Sequence, residues 1–238
     1  MIAEEITNLD IEGGYAYAIS LNNEQQFAYD TIMEKVDSEL SGIYFIDGPG
    51  GMGKNFLYDA LLAGMRSQNL VALATASSRV SVSLLPESRA VHSRFKIPLE
   101  TDGEVSCSVS KQSALEILLK MSKLILWDEA LMVNPYTIEA VDKMLKYIID
   151  CSLPFGGKVV VLGGDFRQVL PVISRGEKED IIRASLVFSD LWPLYSHLPL
   201  IFGEIYTYYN FDEAIDKSEQ SLQEDFLNTL TLNGIPPY

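Results

Sequence analysis

Two hydrophobic periods alternate along this chain. Residues 43–47, 71–75, 123–127 and 158–162 are short, nearly unbroken apolar runs bounded by turn residues. Runs of this length predict strands buried on both faces, as in a parallel sheet. Between them the spacing becomes helical. Asn22 or Asn23 can cap a first helix in which Ala28, Ile32, Val36 and Leu40 recur every fourth residue. A second helix is predicted over 56–66. A third opens at Asn134-Pro135, runs through Ile149 and is broken by Gly156-Gly157. Strands alternating with helices predict an α/β fold, a mainly parallel sheet with helices on both faces. Three of the strands end in glycine or acidic residues, at the carboxyl edge where open parallel sheets place their ligands. No internal repeat or low-complexity stretch is present.

Composition narrows the setting. With 238 residues, 47% of them apolar, the chain can bury one sizeable core. One α/β domain with a tail is the expected organisation. Cys107 and Cys151 are too few for a disulfide framework and have no neighbouring His or Cys for zinc, so they read as reduced thiols of a cytosolic or nuclear protein. Residues 1–10 carry Glu4, Glu5 and Asp10 without a basic flank or long apolar run, which argues against a secretory signal. No stretch approaches the roughly 18 apolar residues of a membrane span. The formal net charge is −15, of which residues 204–238 hold −6 and the remainder −9. An acidic body excludes a broad basic face for nucleic acid, so any DNA contact is expected in a local groove.

The first strand runs into Gly48, Pro49, Gly50, Gly51, Met52, Gly53, Lys54 and Asn55. Two glycines separated by four residues and followed by Lys form a phosphate-binding loop. Its backbone N–H groups can wrap phosphates, and the helix behind it presents its positive end. Lys54 adds a mobile charge. Asn55 stands where a Ser or Thr hydroxyl would normally reach Mg²⁺, so phosphate binding is expected to survive better than metal-assisted hydrolysis. The strand over 123–127 ends in Asp128-Glu129. Such a pair can hold a metal through water and deprotonate an attacking water, or it can be a solvated strand end. The strand over 158–162 ends in Gly164-Asp165-Phe166-Arg167-Gln168, where Gln168 is placed to sense a terminal phosphate.

These segments, in this order, resemble a known family. Leu21 to Gln26, Gly48 to Lys54, Ala74 to Ser78, His92 to Pro98, Trp127 to Ala130 and Gly163 to Pro171 are similar to the PIF-like DNA helicases of superfamily 1B, including their Helitron-type relatives. The resemblance runs from about residue 20 to about 195. It implies the first of two RecA-like lobes of an ATP-driven motor moving 5′ to 3′ on single-stranded DNA, serving repair, recombination and telomere maintenance in the nucleus. It implies ATP and Mg²⁺ as cofactors. By the same resemblance Gln25 reads the adenine edge, and Gly48 to Asn55 hold phosphates with Lys54 as a catalytic group. Asp128 and Asn55 serve the metal, Glu129 the water, and Gln168 the terminal phosphate. Ser77, Ser78, Arg94, Phe95 and Lys96 lie where such enzymes track DNA. Charge beside an aromatic face suits that task, although Phe95 can equally pack into a core.

The chain departs from the family in Asn55, in Met52 before the last loop glycine, and in Arg79 where a glycine is usual. After Leu198 to Phe202 it changes, and residues 203–238 form an acidic tail resembling a family segment that normally lies far downstream. The expected layout is an extension at 1–20, a RecA-like P-loop ATPase domain at 21–202, and the displaced tail, with most of the second lobe deleted. A helicase impaired in turnover is therefore expected. The alternative is a non-catalytic nucleotide-binding remnant or interaction module.

Overall fold

Successive side chains of a strand point to opposite faces, and here both faces are apolar. The computed structural model describes residues 20–51, 53–98, 107–110, 112–166 and 184–200. Its strands are β1 (Gly42–Asp47), β2 (Val71–Ala76), β3 (Arg89–Ala90), β4 (Ser122–Asp128), β5 (Val159–Gly164) and β6 (Ser196–Pro199). They form one sheet in the order β3-β2-β4-β5-β1-β6, and every adjacent pair is parallel.

Helices cover the two faces. The longer ones are α1 (Asn23–Asp37), α2 (Lys54–Ser67), α5 (Ala114–Met121) and α6 (Pro135–Ile149), with short α3 (Arg79–Leu84) and α4 (Val91–Phe95) beside β3. On one face Tyr44, Ile46, Leu124, Leu126 and Val161 pack with Ala28, Ile32 and Val36 of α1 and Leu57, Leu61 and Met65 of α2. On the other, Phe45, Leu73, Ile125, Trp127 and Leu162 pack with Leu118 and Leu119 of α5 and Ile138, Val141 and Leu145 of α6. Even and odd positions of the same strand thus feed separate cores, which is why these runs show no polar alternation.

Local signals account for most boundaries. Asn22 caps α1 in a reciprocal box with Gln25, and Asn134 caps α6 with Pro135 in its first turn. The expected fourth apolar position of α1 fails. The helix stops at Asp37, Glu39 turns the chain with φ 54°, and Leu40 is 53% exposed. Lys158 precedes β5 instead of opening it; buried, its ammonium donates to the Ser122 and Lys120 carbonyls. The sheet also contains two strands not foreseen, β3 and β6. Strand β6 puts Leu200 against the phosphate loop: its N–H donates to Asp47 O at 2.8 Å, and the side chain is buried.

Candidate nucleotide site

The parallel order brings three strand ends together. Strand β5 lies between β1 and β4, so the loop after β1, the Asp128-Glu129 pair and the Gly163-Gly164-Asp165 turn form one edge. Pairing continues beyond the strands: Gly48 N–H donates to Gly164 O at 3.3 Å, and Ser77 N–H to Asp128 O at 3.1 Å.

Gly48 is buried under Leu200, whereas Gly50 and Gly51 form an exposed crest. Gly51 and Gly53 have φ of 82° and 78°, the left-handed region where a side chain is strained. At Gly53 space is also short, because a Cβ would lie 2.3 Å from Gln25 Nε2. Lys54 opens α2 and is buried, its ammonium folded onto the Gly48 carbonyl. Asn55 is half-buried in the same first turn. Met52 lies outside the described residues.

Gln25 is not the exposed first-turn residue that its position alone suggests. It is 4% exposed; its Oε1 accepts from Asn22 N–H at 3.1 Å, and its Nε2 donates to Gly53 O at 3.1 Å. One side chain ties the start of α1 to the end of the phosphate loop.

Asp128 is 4% exposed, and its Oδ1 is buried without a hydrogen-bond partner. Glu129 is half-buried and turns the chain with φ 53°, ψ 42°, a strained conformation for a residue with a Cβ. Burial raises its carboxyl above the usual range, the Asp128 and Asp165 charges raise it further, and Lys54 opposes them. These four charges therefore share one neighbourhood. Asp165, 2% exposed, joins them, although in this segment the sequence pattern points to Gln168. Phe166 anchors this turn against Phe45, at 5.1 Å between ring centres. Gln168 lies outside the described residues, as do Arg167 and the tail at 203–238.

The expected DNA-tracking residues separate. Phe95 is fully buried with its ring 5.9 Å from that of Trp127, and Arg94 is 2% exposed with its guanidinium 3.4 Å from the Ala74 and Glu87 carbonyls. Neither presents a stacking or charged face outward, which corrects that expectation: α4 turns both toward the core, and the core reading of Phe95 holds. Lys96, at the left-handed C-terminus of α4, is exposed. Ser77 and Ser78 are half-buried and already engaged. Ser77 Oγ accepts from the Trp127 indole at 2.8 Å, and Ser78 Oγ caps α3 through Ser81 N–H at 2.9 Å.

Cys107 and Cys151 are free, and among the described residues no helix is long and apolar enough to cross a membrane. The RecA-like fold agrees with known structures. A Pif1 helicase structure concerned with DNA unwinding at forked double-stranded DNA matches with a TM-score of 0.62 at 23% identity, covering 76% of this chain and 44% of that one. Pif1 from Bacteroides in complex with ADP-AlF3 and single-stranded DNA matches with a TM-score of 0.60 at 22% identity, covering 79% and 44%. At such identities the likeness establishes the fold alone.

Sequence relatives carry the family. An ATP-dependent DNA helicase Pif1 from Psychrobacter sp. is 28% identical over 56% of this chain and 20% of its own length. Its Campylobacter jejuni namesake is 33% identical over 59% and 31%. The chain thus spans between a fifth and a third of these relatives. The family profile described as PIF1-like helicase matches residues 20–232, which takes in nearly every element above and most of the tail. With the phosphate loop, the strand-end carboxylates and the sheet order all in place, this chain belongs to the PIF1-like helicase family.

Proposed function

We propose that residues 21–202 act as the first motor lobe of an ATP-dependent DNA helicase, which couples ATP hydrolysis to 5′-to-3′ movement on single-stranded DNA in repair, recombination and telomere maintenance. One observation carries this reading: a glycine loop with a buried lysine meets, across neighbouring strands, a buried carboxylate with an oxygen left unpartnered. A carboxylate buried in this way is costly unless donors reach both of its oxygens, and a metal-bound water is one donor that a nucleotide complex would bring. The relatives' names as ATP-dependent DNA helicases support the same reading.

The residues fit Mg²⁺, because the candidate donors are hard oxygens. Asp128 would hold the ion through water and Asn55 would offer its amide oxygen. When bound with nucleotide, the ion neutralises charge on the phosphates. Lys54, at the loop, leaves the Gly48 carbonyl for a phosphate oxygen, and the N–H groups around Gly50, Gly51 and Gly53 complete the cradle. Glu129 takes the proton of the attacking water. Its raised proton affinity suits a base, since a carboxylate of ordinary acidity is a weaker acceptor. Gln168 reports the terminal phosphate, and Gln25 exchanges one of its present bonds for the adenine edge. Lys96, with Ser77 and Ser78, borders a local groove for the strand, and the nucleus is the expected location.

Asn55 favours a second reading, a lobe that binds nucleotide without turning it over. The test is ATP turnover with Mg²⁺, with and without single-stranded DNA, beside Glu129→Gln. DNA-stimulated turnover that the substitution removes supports the motor. Binding without turnover in a folded chain supports the second reading.

A further inference from the structure

Tyr58 lies one turn after Lys54 on α2, and nothing in the nucleotide reading uses it. Its side chain is 1% exposed and its hydroxyl is buried without a hydrogen-bond partner. A buried phenol normally has one. The ring belongs to the core shared with Ile46, Leu57 and Val161, but its oxygen is aimed at β5. A Cβ built on Gly163 would lie 1.7 Å from Tyr58 Oη, 2.9 Å from the ring carbon Cζ and 3.3 Å from Asp128 Oδ1.

Gly163 therefore opens a notch in the sheet. The Tyr58 hydroxyl fills it, and Asp128 Oδ1 stands at its rim. One of these two orphaned oxygens is a donor and the other an acceptor. The phenol also feels the carboxylate: after burial, the Asp128 charge is the strongest influence holding its proton on, and the side chains are close enough to interact although the geometry falls short of a hydrogen bond. The hydroxyl is oriented by the glycine of β5 and the packing of α2, so it is a fixed feature beside a carboxylate whose direction matters.

We propose that Tyr58 is a positioning residue for the metal site: in the nucleotide complex its hydroxyl donates a hydrogen bond to Asp128 Oδ1, which leaves Oδ2 turned toward the metal-bound water. This inference rests on the nucleotide reading above. Outer-shell partners typically matter about 10- to 100-fold in metal affinity, and Tyr58, acting behind an aspartate that holds the ion through water, belongs at the low end of that range. It also gives Gly163 a purpose beyond the turn that follows, because any side chain there displaces the hydroxyl.

The experiment uses the full chain and Tyr58→Phe, which removes one oxygen. Mn²⁺ uptake is read by electron paramagnetic resonance with ATP present, ATP binding is read separately in EDTA, and the thermal midpoint is read without ligand. The expected result is a Mn²⁺ affinity about 10-fold lower, with ATP binding in EDTA unchanged within twofold and a midpoint no lower than that of the parent. Gly163→Ala crowds the same hydroxyl and should lower Mn²⁺ affinity as well, with a lower midpoint from overpacking but ATP binding in EDTA unchanged, which covers a poorly folding Tyr58→Phe. A Mn²⁺ affinity within twofold of the parent in the folded variants overturns the proposal, as does a parallel loss of midpoint and metal-free ATP binding. A parent chain that binds ATP in EDTA but takes up no Mn²⁺ overturns it while leaving phosphate binding intact. A parent chain that binds no ATP overturns the nucleotide reading and this inference together.

Discussion

Replacing Gln25 by Ala tests whether one buried amide joins a helix cap to the phosphate loop. The substitution removes the Nε2 donor to Gly53 O and the Oε1 acceptor for Asn22 N–H, both at 3.1 Å. A net loss of about 1 kcal/mol per hydrogen bond is typical. The Gly53 carbonyl is not orphaned, because Leu57 N–H still donates to it at 3.1 Å. Asn22 also keeps its own side-chain bond to Gln25 N–H, so half of the capping box survives. Helix propensity favours Ala by a few tenths of a kcal/mol. The balance is a destabilisation of about 2 kcal/mol, or about 4–8 °C in thermal midpoint for a domain of this size. Gln25→Glu keeps the cap acceptor but buries a carboxylate oxygen against Gly53 O, a repulsion the amide does not have, and should destabilise at least as much as Ala. Thermal melts followed by circular dichroism give the comparison. An Ala variant melting within 1 °C of the parent, or a Glu variant as stable as the parent, would refute the double tether.

Other outcomes follow from single contacts. Phe95→Ala opens a cavity beneath Trp127 and should cost about 3–5 kcal/mol by denaturant unfolding, whereas the exposed Lys96→Ala should stay within about 0.5 kcal/mol and weaken single-stranded DNA binding. Equal stability of the two variants would return Phe95 to the surface. Asp59 has a buried oxygen without a partner, and burial pushes its carboxyl up to about 6 against the opposing pull of Arg66. The folded chain thus holds that proton more tightly than the unfolded chain. The resulting stability is complete below about pH 4 and is lost as pH rises through about 6. Asp59→Asn should remove this slope and add about 1 kcal/mol at pH 7, after allowance for partial exposure. Denaturant midpoints at pH 4 and pH 7 read it, and an unchanged slope would contradict the assignment.

The parts legible in the sequence are those where one local pattern has one physical solution. The unbroken apolar runs of β1, β2, β4 and β5 admit a sheet covered on both faces, and Asn22 and Asn134 are caps because their side chains can bond the first free N–H groups. The loop from Gly48 to Lys54 belongs here too, since its glycines are demanded by left-handed backbone at Gly51 and Gly53. Elsewhere a pattern admits two solutions. Leu40 keeps the helical spacing of α1, yet the chain turns at Glu39 before reaching it. Arg94-Phe95-Lys96 pairs charge with an aromatic ring whether it faces DNA or fills a core, and only tertiary packing sends two of the three inward. Strand β6 is only four residues long, and its exposed Ser196 and His197 interrupt the apolar pattern, although the His197 ring lies 5.8 Å from that of Phe45 in β1 and Leu198 is buried. The Tyr58 contact was out of reach for a related reason. Its position one turn after Lys54 is visible in the sequence, but the notch at Gly163 depends on two elements about a hundred residues apart.

The most direct test of the central claim is calorimetric titration of the full chain with ATP, alongside Lys54→Ala. The account predicts one saturable site in the parent chain and an affinity at least about 10-fold lower in the variant, as expected when a charge-assisted phosphate contact is lost. Equal affinity in the two proteins, or no binding by a folded parent chain, would contradict it.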